Sequence, residues 1–395
     1  MRTIGVVTVG RSDAGIYRPV LRAIQRSAEL DLTLIVAGMH LAPEFGETWR
    51  ELEAAGFAVD ERIECTMASD SAEGTAKSIG LGVIAFGQLF GRSRPDILML
   101  LGDRFEMLAA AAAALPFAMP IAHLHGGETS QGALDEAVRH SITKMSHLHF
   151  VATPLYRDRV VQLGEEPWRV TVSGAPSLDN LRELDLCTRD RLEAIVGLPL
   201  DRPTLLATFH PVTLEYGNAR AQCAEFLAAL EDLGLQVVLT YPNADAEGRL
   251  IIRAIEAFAA RHAWATAIAN LGVDAYFGLL RHAAAVVGNS SSGIIEAASF
   301  GVPVVNVGHR QRGRLRAPNV IDVDCERTAI REAVREALAP AFRRRLAGLV
   351  NPYGDGRAAA RIVEVLTRTP LDQRLIMKRF HDLPASHGAA LPEPA

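Results

Sequence analysis

AAVVGNSSSGIIEA, Ala284 to Ala297, is the stretch from which the fold can be read. Small and β-branched residues up to Gly288 form a short strand pattern. Asn289, Ser290, Ser291 and Ser292 follow as a small polar turn, and Gly293 leads into an apolar helix. A strand passing through such a turn into a helix is half of a βαβ unit, and the pattern recurs on either side. Thr204–Thr208, Gln236–Thr240, Pro303–Val307 and Val320–Val323 read as further strands of this series. Towards the N-terminus, Ile4–Val9, Leu32–Ala37, Ile97–Leu101, residues 121–125 and 149–152 form a second series, again separated by helical periodicity. The expected fold is α/β, with two Rossmann-like doubly wound domains and a cleft between them.

Length agrees, because 395 residues exceed what one hydrophobic core ordinarily supports. Turn-formers cluster between Ser173 and Arg202, so the boundary is set near residue 195. The first domain is then 1–195 and the second 196–368, with a last helix free to pack back on the first. Residues 369–395 lose periodicity and read as a flexible tail. A net charge of −5 argues against a nucleic-acid surface, which needs a dense basic face. Cys65, Cys187, Cys223 and Cys325 have no CxxC spacing, so neither a disulfide framework nor a zinc site is expected, and no other metal is. The N-terminus lacks a signal pattern, and the longest apolar run, Met107 to Ala122, is broken by Pro116 and Pro120. No membrane association and a cytoplasmic location are the expectation.

Ligands of open α/β sheets bind beyond the carboxyl ends of the strands, so residues directly after each strand are the informative ones. Ser290 to Ser292 offer hydroxyls and free backbone N–H groups to an anion such as a diphosphate, and Glu296 is placed to accept ribose hydroxyls. The bland alternative for one serine is a helix cap. GHRQRGRLR, residues 308–316, ends the next strand and makes Arg310 or Arg314 a candidate phosphate clamp. His210 in FHPVT, and Asn243 and Asp245 in TYPNADA, are candidates for base, ribose or phosphate contacts.

The first half carries acids instead. GDRFE puts Asp103 after a strand, with Arg104 beside it to pair with it or hold it. HLHGGETSQGALDEAVRHSITK, His123 to Lys144, concentrates His125, Glu128, Asp135, Glu136, Arg139 and His140. One of Asp135 and Glu136 is explained by helix capping alone. The first turn, VGRSDAGIYRP, lacks the GxGxxG spacing of a nicotinamide site but offers Arg11 for phosphate or sugar and Asp13 to orient it. His40, ending GMH, is a candidate sugar contact, although a lone strand-end histidine is more often a packing residue.

The ordered set GRSDAG, GMH, GDRFE, HGGETSQGALDEAVRHSITK, HPVT, NAD, GNSSSGIIEA and GHRQRGR resembles the hydrolysing UDP-N-acetylglucosamine 2-epimerases, in their bacterial sialic-acid and legionaminic-acid branch. The resemblance runs from about Arg2 to Leu366. It implies a glycosyltransferase-B-like fold with UDP held mainly by the second domain. By motif position it makes Asp103 and Asp135 the catalytic carboxylates, assisted by Glu128 and His125. It places His210, Ser290, Ser291, Glu296 and Arg310 on uridine and diphosphate contacts, and Arg11 on a further phosphate contact. This chain departs from the pattern at His125, where some members carry glutamate, so the acid-base role of that glutamate does not carry over by position and falls to His125 or to Glu128.

The reaction implied is elimination of UDP to a 2-acetamidoglucal followed by hydration, without cofactor or metal, in a homodimer or homotetramer. UDP-N-acetylglucosamine, yielding N-acetylmannosamine, is the first substrate expected; UDP-2,4-diacetamido-2,4,6-trideoxyglucose is the second. A glycosyltransferase of the same fold is the rival from another class; it would need an acceptor groove instead of clustered acids.

Overall fold

The computed structural model describes residues 1–383 apart from 44–45, 68, 70, 131–133, 213–214, 216 and 243–246. The first lobe carries strands β1 (Arg2–Thr8), β2 (Leu30–Ala37), β3 (Glu61–Ile63), β4 (Ile97–Leu101), β5 (Ile121–Leu124), β6 (Leu148–Val151) and β7 (Val170–Val172). Among the described residues they form one seven-stranded sheet in the order β3-β2-β1-β4-β5-β6-β7, every neighbour parallel. The second lobe carries β8 (Thr204–Thr208), β9 (Gln236–Thr240), β10 (Ala265–Ile268), β11 (Ala285–Gly288), β12 (Val304–Val307) and β13 (Val320–Val323). Its six-stranded sheet has the order β10-β9-β8-β11-β12-β13, also parallel throughout.

Parallel sheets need both faces covered, which is why the central strands read as unbroken apolar runs. β4, Ile-Leu-Met-Leu-Leu, is buried along its whole length. β3, β7 and β10 were not legible as strands: each is three or four residues long, partly exposed, and at or near a sheet edge. The strand order reverses between β1 and β4 in one lobe and between β8 and β11 in the other. Those are the switch points at which crevices open in such sheets.

The chain crosses between lobes upstream of residue 195. Leu192 and Val196, on the helix Arg189–Val196, bury against Leu279, Leu280 and Val286 of the second lobe, so packing assigns that helix there. The helix Ala358–Arg368 returns to the first-lobe core through Ala358, Ala359, Ile362 and Leu366. Asp179 accepts hydrogen bonds from the backbone N–H of Ala358 and Ala359 at 2.9 and 2.7 Å and so caps that helix.

Beyond Thr369 the chain does not fray over the described residues, contrary to the sequence reading. Leu375 is buried, Arg169 donates to the carbonyls of Leu375 and Arg374 at 2.8 and 2.7 Å, and Lys378 pairs with the buried Glu165 at 2.7 Å. A buried carboxylate without cations would be costly, so the charge of Glu165 holds this segment down.

The lobes also share a core. Val151, Tyr156, Val160, Val170 and Leu178 of the first meet Ile294 and Ile295 of the second, with Tyr353 between.

Candidate active site

The loops at the two switch points face each other across a cleft of about 1140 Å³, above the range of about 300–1,000 Å³ usual for small-molecule sites. Of the residues singled out in the sequence, Arg11, His40, Arg104, His210, Ser290, Ser291, Ser292, Glu296 and Arg310 line it. The second-lobe wall is built around Asn289. Its side chain accepts from the backbone N–H of His210 at 2.7 Å and donates to the His210 carbonyl at 2.8 Å. Its own carbonyl accepts from Gln311 at 2.8 Å and from Arg310 at 3.3 Å. Three loops are thereby fixed to one another by a residue that is 1 % exposed. Asn289 shapes the wall instead of facing the cleft, because its amide is already committed.

Gly288 makes this junction possible. Its φ of +132° is open to glycine, and a Cβ there would collide with the Thr208 carbonyl on β8. Gly293 packs against Val304 and Val286, so it too belongs to the scaffold. Ser290 caps the short helix Ser291–Ile295, its hydroxyl accepting from the Ser292 N–H at 3.3 Å. Glu296 is buried, which raises its pKa, and it accepts a 2.5 Å hydrogen bond from Ser177 of the first lobe.

On the first-lobe wall, His40 has both ring nitrogens bonded, to Thr8 at 2.9 Å and Thr48 at 2.8 Å, and burial lowers its pKa to about 4. It is a neutral packing histidine at the cleft edge. Asp13 belongs to the first turn of the helix Arg11–Gln25 with its side chain buried, which raises its pKa to about 6, and it does not line the cleft. Arg104 reaches over Phe105 and approaches Glu106 at 3.6 Å.

The acids gather in a separate cluster around the buried Glu128. Asp103 pairs closely with Arg139. Glu128, 1 % exposed, bonds His125 Nδ1 through one carboxylate oxygen at 2.5 Å and pairs with Arg314 through the other at 3.1 Å. Burial works against the charge of Glu128, but Arg314 and His125 outweigh it and its pKa falls below the usual value. Arg314 comes from the second lobe, and its Nε also donates to the Thr129 carbonyl at 3.2 Å. The phosphate-clamp reading therefore separates: Arg310 lines the cleft, and Arg314 is committed to Glu128.

Asp135 opens the helix Asp135–Met145 but is not its cap, which is Leu134. Glu136 instead turns back to accept from the Ser130 N–H at 2.5 Å. The cluster adjoins the cleft: charge on Arg310 acts on Arg139, and charge on Arg314 acts on the cleft residue Glu296.

Asn243 and Asp245 lie outside the described residues. The sequence reading placed Arg139 in the acidic segment without giving it a part in the site. Its spacing of four from Asp135 puts both on one helix face and was the available signal. Glu106, buried in GDRFE and lining the cleft, was passed over as well. Among the described residues no group of His, Cys, Asp and Glu is arranged to hold a metal ion, and no helix is long and apolar enough to cross a membrane.

A family model described as UDP-N-acetylglucosamine 2-epimerase matches residues 22–367. The chain belongs to that family. Within it, the UDP-N,N'-diacetylbacillosamine 2-epimerase (hydrolyzing) of Legionella pneumophila is 39% identical over 96% of this chain and 99% of its own length. The GDP/UDP-N,N'-diacetylbacillosamine 2-epimerase (hydrolyzing) of Campylobacter jejuni is 38% identical over 81% of this chain and 84% of its own. The crystal structure of the Neisseria meningitidis UDP-GlcNAc 2-epimerase bound to UDP-GlcNAc superposes with a TM-score of 0.80, covering 93% of this chain and all of that one, at 19% identity. At that identity the superposition speaks to the fold, which is the two-lobed glycosyltransferase-B-like arrangement of the epimerase family.

Proposed function

We propose that this protein hydrolyses a UDP-2-acetamido sugar with inversion at C2, and that UDP-N,N'-diacetylbacillosamine, the UDP-2,4-diacetamido-2,4,6-trideoxyglucose of the sequence reading, is its substrate. One observation carries the chemistry: a cleft walled by a serine turn and Arg310 adjoins a cluster of carboxylates, histidine and arginine. Ser290, Ser291 and Arg310 bind the diphosphate, His210 and Glu296 the uridine side, and Arg11 a further phosphate oxygen. The C1–O bond breaks first, because the C2 proton is barely acidic, and Arg310 with the serine turn stabilises the charge gathering on the departing UDP. A carboxylate then removes the C2 proton, giving the glucal. Water next adds its hydroxyl at C1 while an acid returns a proton to C2 from the opposite face. Asp103 and Asp135 are assigned to these two transfers, with His125 and Glu128 assisting.

The choice of sugar is supported by the two relatives at 39% and 38% identity, both named for diacetylbacillosamine. UDP-N-acetylglucosamine, preferred from the sequence alone, stays as the second reading because the family model carries its name. Incubating the protein with either UDP-sugar and no acceptor decides both points. The expected result is release of UDP and a free 2-epimer, with kcat/KM higher for the diacetamido sugar. A higher value for UDP-N-acetylglucosamine reverses the substrate assignment, and release of UDP only when an acceptor is added would make the protein a transferase.

A further inference from the structure

His125 combines three features that ordinary packing does not require. Its backbone is left-handed, φ +62°, a state that non-glycine residues rarely adopt and that persists only where surroundings enforce it. Its Nδ1 is tied to Glu128 at 2.5 Å, while its Nε2 is buried with no hydrogen-bond partner among the described residues. The carboxylate that holds it is in turn held from the other lobe, by Arg314 at 3.1 Å.

Resting on the proposed epimerase reaction, we infer that Arg314 is a positioning residue: through Glu128 it fixes the His125 imidazole with Nδ1 protonated and bound, leaving Nε2 as a proton-accepting atom of the site. A carboxylate paired with a guanidinium accepts a hydrogen bond and does not give one, so Nδ1 must carry the proton. Nε2 then keeps its lone pair. It takes one proton from the water whose hydroxyl adds at C1, the resulting imidazolium is balanced by Glu128, and that proton passes to solvent once the product leaves.

Arg314 is itself placed by the first lobe. Arg159 donates to the carbonyls of Gly127 and Gly313 at 3.3 and 3.2 Å, and Thr129 donates to that of Arg312 at 3.3 Å. The Tyr156 hydroxyl accepts from the Leu315 N–H at 3.0 Å, and Tyr353 donates to the Leu315 carbonyl at 3.0 Å. The segment 312–315 is therefore part of the seam between lobes.

Other charged groups surround the pair. His123 comes from β5, Arg139 from the helix Asp135–Met145 with Asp103 beyond it, and Arg310 and Glu296 from the second lobe. Asp135 acts on Arg314, and Tyr156 and Tyr353 lie beside it and stay protonated, because burial raises both.

Three variants, Arg314→Met, Arg314→Lys and the charge-neutral pair Arg314→Met with Glu128→Gln, test the assignment by kcat, pH profile and UDP affinity. For Arg314→Met the expected result is a loss of about 10-fold or more in kcat, UDP affinity within a few fold of the parent, and partial recovery in Arg314→Lys. The acid limb of the profile moves to higher pH, because the Glu128 carboxylate, relieved of the Arg314 cation, takes up a proton more readily. A large loss of UDP affinity with kcat preserved would instead make Arg314 a diphosphate ligand and overturn the inference. The paired variant serves if Arg314→Met alone does not fold, with the same expectations for kcat and affinity.

Nitrogen-15 NMR of the histidine rings in the unliganded parent, with His125→Asn as the assignment reference, reads the tautomer directly. Protonated Nδ1 and bare Nε2 are expected, and the opposite tautomer refutes the inference. That spectrum needs no turnover, so failure of the epimerase reading and failure of this one are separable.

Discussion

Asp103 and Arg310 divide the work of the site, and substitution separates them. Asp103→Asn keeps the shape of the side chain beside Arg139 and removes its ability to carry a proton. UDP release should fall by about 100-fold or more, with UDP affinity, measured by calorimetry, within a few fold of the parent. Retained turnover would remove Asp103 from the chemistry. Arg310→Ala should act in the opposite sense, weakening UDP binding by about 1.5–3 kcal/mol, the usual worth of a hydrogen bond to a charged group. Unchanged affinity would end its assignment as the clamp. Both residues were found in the sequence because the carboxyl end of a parallel strand is a position that periodicity locates. What periodicity does not locate is the direction of a side chain within a loop. Asn289, Gly293 and Asp13 follow strands as Arg310 does, yet the first two hold the scaffold and the third is buried in the first turn of a helix. Arg314 was grouped with Arg310 because they share a basic loop, and only the fold brings Glu128 to one and the cleft to the other.

Among the elements, the β11 turn is the most constrained. Gly288→Ala should destabilise the protein by about 1–3 kcal/mol through its backbone alone, and more from the collision with Thr208, seen as a lowered melting temperature. A parent-like melting temperature would show that the junction of β8 and β11 tolerates a side chain. The central strands of both sheets were readable because burial on both faces writes them as apolar runs. β3, β7 and β10 were not, since short, partly exposed strands carry no such run. The segment after Thr369 was misread for a related reason: it is held by Arg169, Glu165 and Lys378 with one buried leucine, and a sequence window scores those ionic contacts as polarity.

At the scale of the whole molecule, buried histidines set the acid limit of stability. Burial lowers the pKa of His40 and His147 to about 4 and of His123 to about 3, against 6.5 for the unfolded ring. Between those values the unfolded chain binds more protons than the folded one, so stability should fall as pH drops from about 6.5 towards 4. Glu165 extends the loss. Despite its burial, His149, Lys144 and Lys378 hold its pKa at about 2, so its contribution, complete above about 4.5, is lost on further acidification. A melting temperature constant from neutral pH to about pH 4 would contradict these protonation states. The two-lobed architecture was legible from the repeated strand and helix pattern, whereas the seam that joins the lobes, built from Tyr156, Tyr353 and the 312–315 segment, depends on contacts between residues up to about 200 positions apart.

The central claim is that the cleft holds UDP while the adjoining cluster exchanges the proton at C2 of the attached sugar. Proton NMR of the reaction in D₂O, run with UDP-N,N'-diacetylbacillosamine, tests it most directly. The account predicts free UDP and a released 2-epimer carrying deuterium at C2. Release of UDP with the C2 proton retained and its configuration unchanged would contradict it.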